Sequence, residues 1–303
     1  RWRRTRTGSG YAAPGSASAT GSWLTEDADG AETGTRYRPV ADGHIRSRSQ
    51  NEHPSMRSET ARLDKIPGPP PRGGLWRERF GLLEPFRLAL RLPDLSARRV
   101  ESGLPVMVLP GFGMTDRSTW LLRHYLSYIG HTVEGWDMGR NHGRVPELIP
   151  KVLDRMSAMA SRHGGPVALV GWSLGGYLAR EAARERPAEV IRVITLGSPV
   201  VGGPKYTVTH AHYVRKGYDL DEIEAQVAAR DRVPIRVPVT AVYSRRDAIV
   251  AWQACIDQSN AVTEHVEVAA THLGLGLSPD VLAVVADSLA GKSLKRQTGS
   301  DAV

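Results

Sequence analysis

The chain has 303 residues, 41% of them hydrophobic, enough to build a large buried core. Its 40 Lys and Arg against 32 Asp and Glu leave a formal charge of +8. No zinc spacing or RNA-binding signature accompanies that charge, and Glu26, Asp27 and Asp29 interrupt it, so it reads as a solvated arginine-biased surface with no nucleic-acid partner.

Residues 1–66 are rich in Arg, Ser and Gly and lack apolar periodicity, which predicts a disordered tail. No apolar stretch follows Arg3-Arg4, so export finds no support in these residues and a cytoplasmic chain is the expectation. Residues 67–104 read as a Pro-rich linker, Pro67 to Pro71, followed by short helical pieces. These carry Leu75, Trp76, Phe80, Phe86 and Leu90, are expected to break at Pro85 and Pro93, and should pack on the body. The arginines among them also suit transient contact with lipid surfaces.

Strands and helices alternate from Pro105 onward. Val106–Leu109 reads as a buried strand, and Trp120, Leu121, Tyr125, Leu126 and Ile129 share a helical face that Gly130 stops. A weak strand is expected near Thr132–Trp136 and a helix over about Glu147–Arg162. Val167–Val170 is the next strand, and a helix runs from Ser173 towards Arg186. Val190–Leu196, Val239–Tyr243 and His265–Val268 complete the strands, and Pro279–Leu289 forms the closing helix. This alternation predicts an α/β fold with a mostly parallel sheet covered on both faces. It occupies residues 105–290, with a lid-like insertion at 198–237 holding one polar helix near Leu220–Arg230. Residues 291–303 read as a second disordered tail. Cys255 is the single cysteine, so no intrachain disulfide or cysteine-based metal site can form; it reads as a small buried apolar residue. No apolar run is long enough to span a bilayer.

Chemistry concentrates where the strand Val167–Val170 runs into Gly171-Trp172-Ser173-Leu174-Gly175-Gly176. A G-x-S-x-G between strand and helix is the pattern of a nucleophile elbow, a turn so tight that small residues must flank the serine. Ser173 is therefore the candidate nucleophile. A serine nucleophile needs a base, and the base an orienting acid, each beyond the carboxyl end of a strand. Asp247 follows Val239–Tyr243 and His272 follows His265–Val268, in the order serine, acid, histidine. Asp257 and Asp219 are the rival acids, but neither directly follows a strand. Two backbone donors should face the developing oxyanion: Leu174 N–H, beside the nucleophile, and Phe112 N–H, between Gly111 and Gly113 after the first strand.

These residues resemble the α/β-hydrolase superfamily, in particular its small bacterial lipases and lipase-like esterases. The likeness covers about Pro105 to Leu289. It rests on the elbow, on Leu109-Pro110-Gly111-Phe112-Gly113, on Thr195-Leu196-Gly197-Ser198-Pro199, on Tyr243 to Val250, and on Thr271-His272-Leu273-Gly274-Leu275. It departs from the family at Pro110, where a histidine is usual, and at Trp172, whose indole is expected to bind substrate beside the acyl pocket. The resemblance implies hydrolysis of carboxylic esters, small-molecule or lipid, through an acyl-enzyme and without a cofactor or metal. Two other uses of such a chain stay open at this level: acyl transfer on the same triad, and a non-catalytic binding protein.

Overall fold

The computed structural model describes residues 66, 68–260, 262–292 and 294. The predicted tails therefore lie outside the described residues, apart from Ile66, Gly291, Lys292 and Leu294. Six strands form one parallel sheet: β1 Pro105–Leu109, β2 Thr132–Gly135, β3 Val167–Trp172, β4 Val190–Leu196, β5 Val239–Tyr243 and β6 Thr263–Glu267. Their order across the sheet is β2-β1-β3-β4-β5-β6.

Side chains alternate along each strand, so the sheet divides the core in two. Val106 and Val108 of β1, with Ala168 and Val170 of β3, meet α1 (Glu84–Ser96), α2 (Trp120–Tyr128) and α7 (Pro279–Leu289) through Leu95, Leu126 and Leu282. Met107, Leu109, Val167 and Leu169 point the other way, onto Leu148, Val152 and Met156 of α3 (Val145–His163) and Leu178 of α4 (Leu174–Glu185). With both faces covered, central strands must be apolar throughout, which is why β3 reads as an unbroken run.

Several expectations need correction. Pro85 and Pro93 do not break the chain. A long 3₁₀ segment, Arg72–Leu83, runs straight into α1, where Pro85 falls in the first turn and needs no N–H partner, and Pro93 is carried inside. Phe86 and Leu90, one turn apart on α1, are exposed. The final strand starts at Thr263 rather than His265, because pairing with β5 extends over polar residues. Between β4 and β5 the insertion holds α6 (Leu220–Arg230), as expected, and also α5 (His210–Arg215). A helix of six residues, fewer than two turns, is too short to show periodicity in sequence.

The insertion forms a cap that is tied down at both ends. Lys205 Nζ reaches Asp221 and Glu224, each at 2.6 Å, fastening the 3₁₀ turn Gly203–Tyr206 to α6. Thr207 bridges to Val250, and Ala251 N–H donates to the Tyr206 carbonyl at 2.9 Å, so the cap is anchored on the loop after β5. Among the described residues no helix is long and apolar enough to cross a membrane.

Candidate active site

The strand order reverses direction between β1 and β3, and in open parallel sheets ligands bind in the crevice beyond the carboxyl ends at such a point. The loop after β1 carries Phe112, and the turn after β3 carries Ser173. Ser173 has φ 54° and ψ −123°; it and Asp137 are the non-glycine residues with positive φ among those described. Glycines make this turn sterically possible. A side chain on Gly171 would strike Gly175 and Gly176 across the turn, and one on Gly175 would strike the Leu109 and Pro110 carbonyls of the neighbouring strand. The strain holds the hydroxyl clear of the strand at the N-terminal, electropositive end of α4.

Asp247 and His272 arrive from the loops after β5 and β6, and His272 Nδ1 lies 2.6 Å from Asp247 Oδ2. The other carboxylate oxygen accepts the Ile249 and Val250 N–H groups at 2.8 and 2.7 Å, which fixes the acid in its loop. Gly197, at φ 55°, makes room for the pair: a Cβ there would sit 3.1 Å from both Asp247 Oδ2 and His272 Nδ1. Both side chains are almost fully buried. Burial acts against the imidazolium, but the Asp247 carboxylate, its hydrogen bond and the charge of Glu78 outweigh it and raise the His272 pKa above its ordinary value.

Glu78 is the participant that sequence reasoning missed. It lies in the 3₁₀ segment, where residues three apart share a face, and Glu78, Gly81 and Glu84 form the buried one. Its Oε1 accepts the N–H groups of Ala248 (3.0 Å) and His272 (3.2 Å), and its Oε2 that of Leu273 (2.8 Å). One carboxylate thus clamps the acid loop to the histidine loop. The sequence offers only a faint signal: Glu78 and Glu84, the two acidic residues of the stretch, stand six apart with Gly81 midway between them.

Opposite the pair, the loop after β1 is held by Asn141, which is fully buried. Its side-chain amide donates to the Pro110 carbonyl at 2.9 Å, and its own carbonyl accepts Gly113 N–H at 2.7 Å. Pro110 therefore serves this turn through its carbonyl oxygen. Neither Phe112 N–H nor Leu174 N–H donates to any group among the described residues. Both residues, with Ser173, line a cavity of about 760 Å³ between the sheet and the cap, walled by Tyr177, Tyr213, Ile223, Val227, Ile249 and Val250. Trp172 is not on that wall. It shares a strand face with Ala168 and Val170, so its indole packs in the core against Gly276, 6.1 Å from the His272 ring.

The rival acids have other tasks. Asp219 caps α6 through the N–H groups of Asp221 and Glu222. Asp257 is buried 2.9 Å from Arg180 of α4. His265 lies within β6 and accepts Asp257 N–H at 3.0 Å. Cys255 is buried, and burial together with nearby Asp247 pushes its thiol pKa well up. Among the described residues no group of His, Cys, Asp or Glu is arranged to hold a metal ion.

No protein-family model matches the chain. Over 206 residues it is 24% identical to the mouse (Mus musculus) palmitoyl-protein thioesterase ABHD10, mitochondrial, a match covering 56% of this chain and 68% of that protein. The rat (Rattus norvegicus) protein of the same name is 25% identical over the same shares. In a solved structure from work on the metagenome-derived lipolytic enzymes LipS and LipT, the match has a TM-score of 0.50 at 16% identity and covers 64% of this chain and 94% of that one. Sheet order, a serine on a strained elbow and the structural likeness converge: the chain has the α/β-hydrolase fold.

Proposed function

We propose that this chain hydrolyses carboxylic esters or thioesters through an acyl-enzyme on Ser173. The observation that carries the reading is the strained Ser173 opening into the apolar cavity in a fold that also pairs His272 with Asp247. His272 Nδ1–H donates to Asp247, which leaves Nε2 as the basic nitrogen for the serine proton. Ser173 Oγ then bonds to the acyl carbon as its proton passes to Nε2, and the carbonyl oxygen becomes an oxyanion facing the Phe112 and Leu174 N–H groups. Collapse breaks the bond to the alcohol or thiol, which leaves with the proton held on His272. Water repeats the sequence on the acyl-serine, releasing the acid and returning the proton to Ser173.

The similarity to a thioesterase by sequence, and to a lipolytic enzyme by fold, supports this bond class. Ser173→Ala tests it with short-chain p-nitrophenyl esters and a fluorophosphonate label. Loss of about 10⁴–10⁶ in kcat, with labelling abolished and the fold retained, is expected. A variant that keeps a hundredth of wild-type turnover places the nucleophile elsewhere.

A further inference from the structure

Beside the apolar cavity lies a second pocket of about 270 Å³ with a different chemistry. Phe112, Gly143, Arg144, Tyr213 and Tyr218 line both, so the two spaces adjoin at the loop that presents the Phe112 N–H. The smaller pocket adds His142, His212 and Lys216, and no carboxylate lines it. Four nitrogen-bearing side chains therefore gather one residue layer from the proposed oxyanion site.

Their mounting is firm on one side. Buried Asn141 holds the 141–144 loop to the Pro110–Gly113 turn, and its Oδ1 also accepts Gly143 N–H at 3.2 Å. His142 Nδ1 accepts the Arg144 N–H at 3.3 Å, so its Nε2 carries the hydrogen and is a donor. From the cap, Tyr213 OH donates to the Gly143 carbonyl at 3.3 Å, which seats α5 on the same loop, and the His212 ring stands edge-on to Phe112. Arg144 also pairs with Glu147 at 3.2 Å, an ion pair between two largely exposed side chains. Such a pair is weak and releases the guanidinium to a better anion at little cost. Lys216 has no ion-pair partner among the described residues.

We propose that this pocket is a subsite for an anionic group, phosphate or carboxylate, carried on the alcohol or thiol side of the scissile bond. The inference rests on the hydrolase reading above. An acyl chain belongs in the apolar cavity, and the polar remainder of the substrate then leaves past Phe112, towards donors that can meet its charge. The anion has two chemical sources, a thiol carrier bearing phosphates or a lipid head group bearing one.

The test compares matched substrates on the full chain. One arm sets decanoyl-coenzyme A against the decanoyl thioester of N-acetylcysteamine; the other sets a decanoyl lysophosphatidate against monodecanoylglycerol. The expected result is a kcat/KM advantage of about tenfold or more for the charged member of at least one pair, as charge-assisted hydrogen bonds supply. The arm that shows it identifies the source. Lys216→Gln and His142→Gln, both on exposed positions, should each reduce that ratio severalfold, and raised salt should reduce it too. Equal rates in both pairs, or a preference that survives both substitutions, overturns the subsite alone. If no substrate of either pair is turned over, the hydrolase reading falls and the subsite with it.

Discussion

At the scale of single residues, the imidazole is held between opposing influences, and the balance sets how activity should depend on pH. The charged groups acting on His272 are Asp247 and Glu78, and Asp247 acts in turn on the Cys255 thiol. Burial favours the neutral ring, while the two carboxylates favour the charged one and prevail, so the pKa is raised. A general base works only when neutral, so activity should climb with pH through a midpoint above about 6.5, the ordinary histidine value. Glu78→Gln removes one of the raising charges and should move that midpoint down. It should also lower kcat by between about ten- and a hundredfold with little change in KM, because the two loops lose their shared clamp. A purely structural role would lower the melting temperature and leave the pH profile in place, and pH–rate curves for both proteins separate the two.

At the scale of elements, the helix behind Ser173 is fastened to the distal loop by a buried charge pair. Arg180 of α4 lies 2.9 Å from Asp257, with Asp231 further off at 3.5 Å, and Asp257 also accepts from Ser259 and Thr263. Asp257→Asn leaves the buried guanidinium with the more distant partner only. Loss of one member of such a pair costs about 3–5 kcal/mol, and the remaining carboxylate argues for the lower end. The melting temperature should fall by about 6–12 °C for a body of this size, while kcat of the folded protein stays near wild type. Thermal denaturation alongside turnover checks this, and a collapse of kcat at an unchanged melting temperature would transfer the acid's role from Asp247 to Asp257.

At the scale of the whole molecule, the cavity over Ser173 is made by packing a cap on a sheet, and neither part encloses it alone. Ile223 and Val227 of α6 form its outer wall, and Gly203 sits against both. Ile223→Trp should shorten the space without disturbing the elbow. The expected effect is a shift of preference from decanoyl to butanoyl esters by more than about tenfold in the ratio of kcat/KM, the scale on which an apolar pocket discriminates over several methylenes. An unchanged chain-length profile would place the acyl chain outside the cap.

What the sequence determined by itself is local. Unbroken apolar runs mark strands buried on both faces, the helical stripe of Leu148, Val152 and Met156 is complete within one segment, and an elbow of glycines around Ser173 needs no distant partner to be recognised. Chain order beyond strand ends also singled out Asp247 and His272. Tertiary structure decided the rest, because those facts depend on what meets what. Trp172 sits two residues after Val170, and only the helices on that face make it core rather than pocket wall. The six residues of α5 carry no period of their own and take their place from the Gly143 carbonyl and Phe112. Glu78 lies 170 residues from Ala248 and 194 from His272, and its three acceptor bonds exist only once the segment before the sheet has folded back across both loops. A buried carboxylate is tolerable only where such donors converge, and no sequence window contains both sides of that meeting.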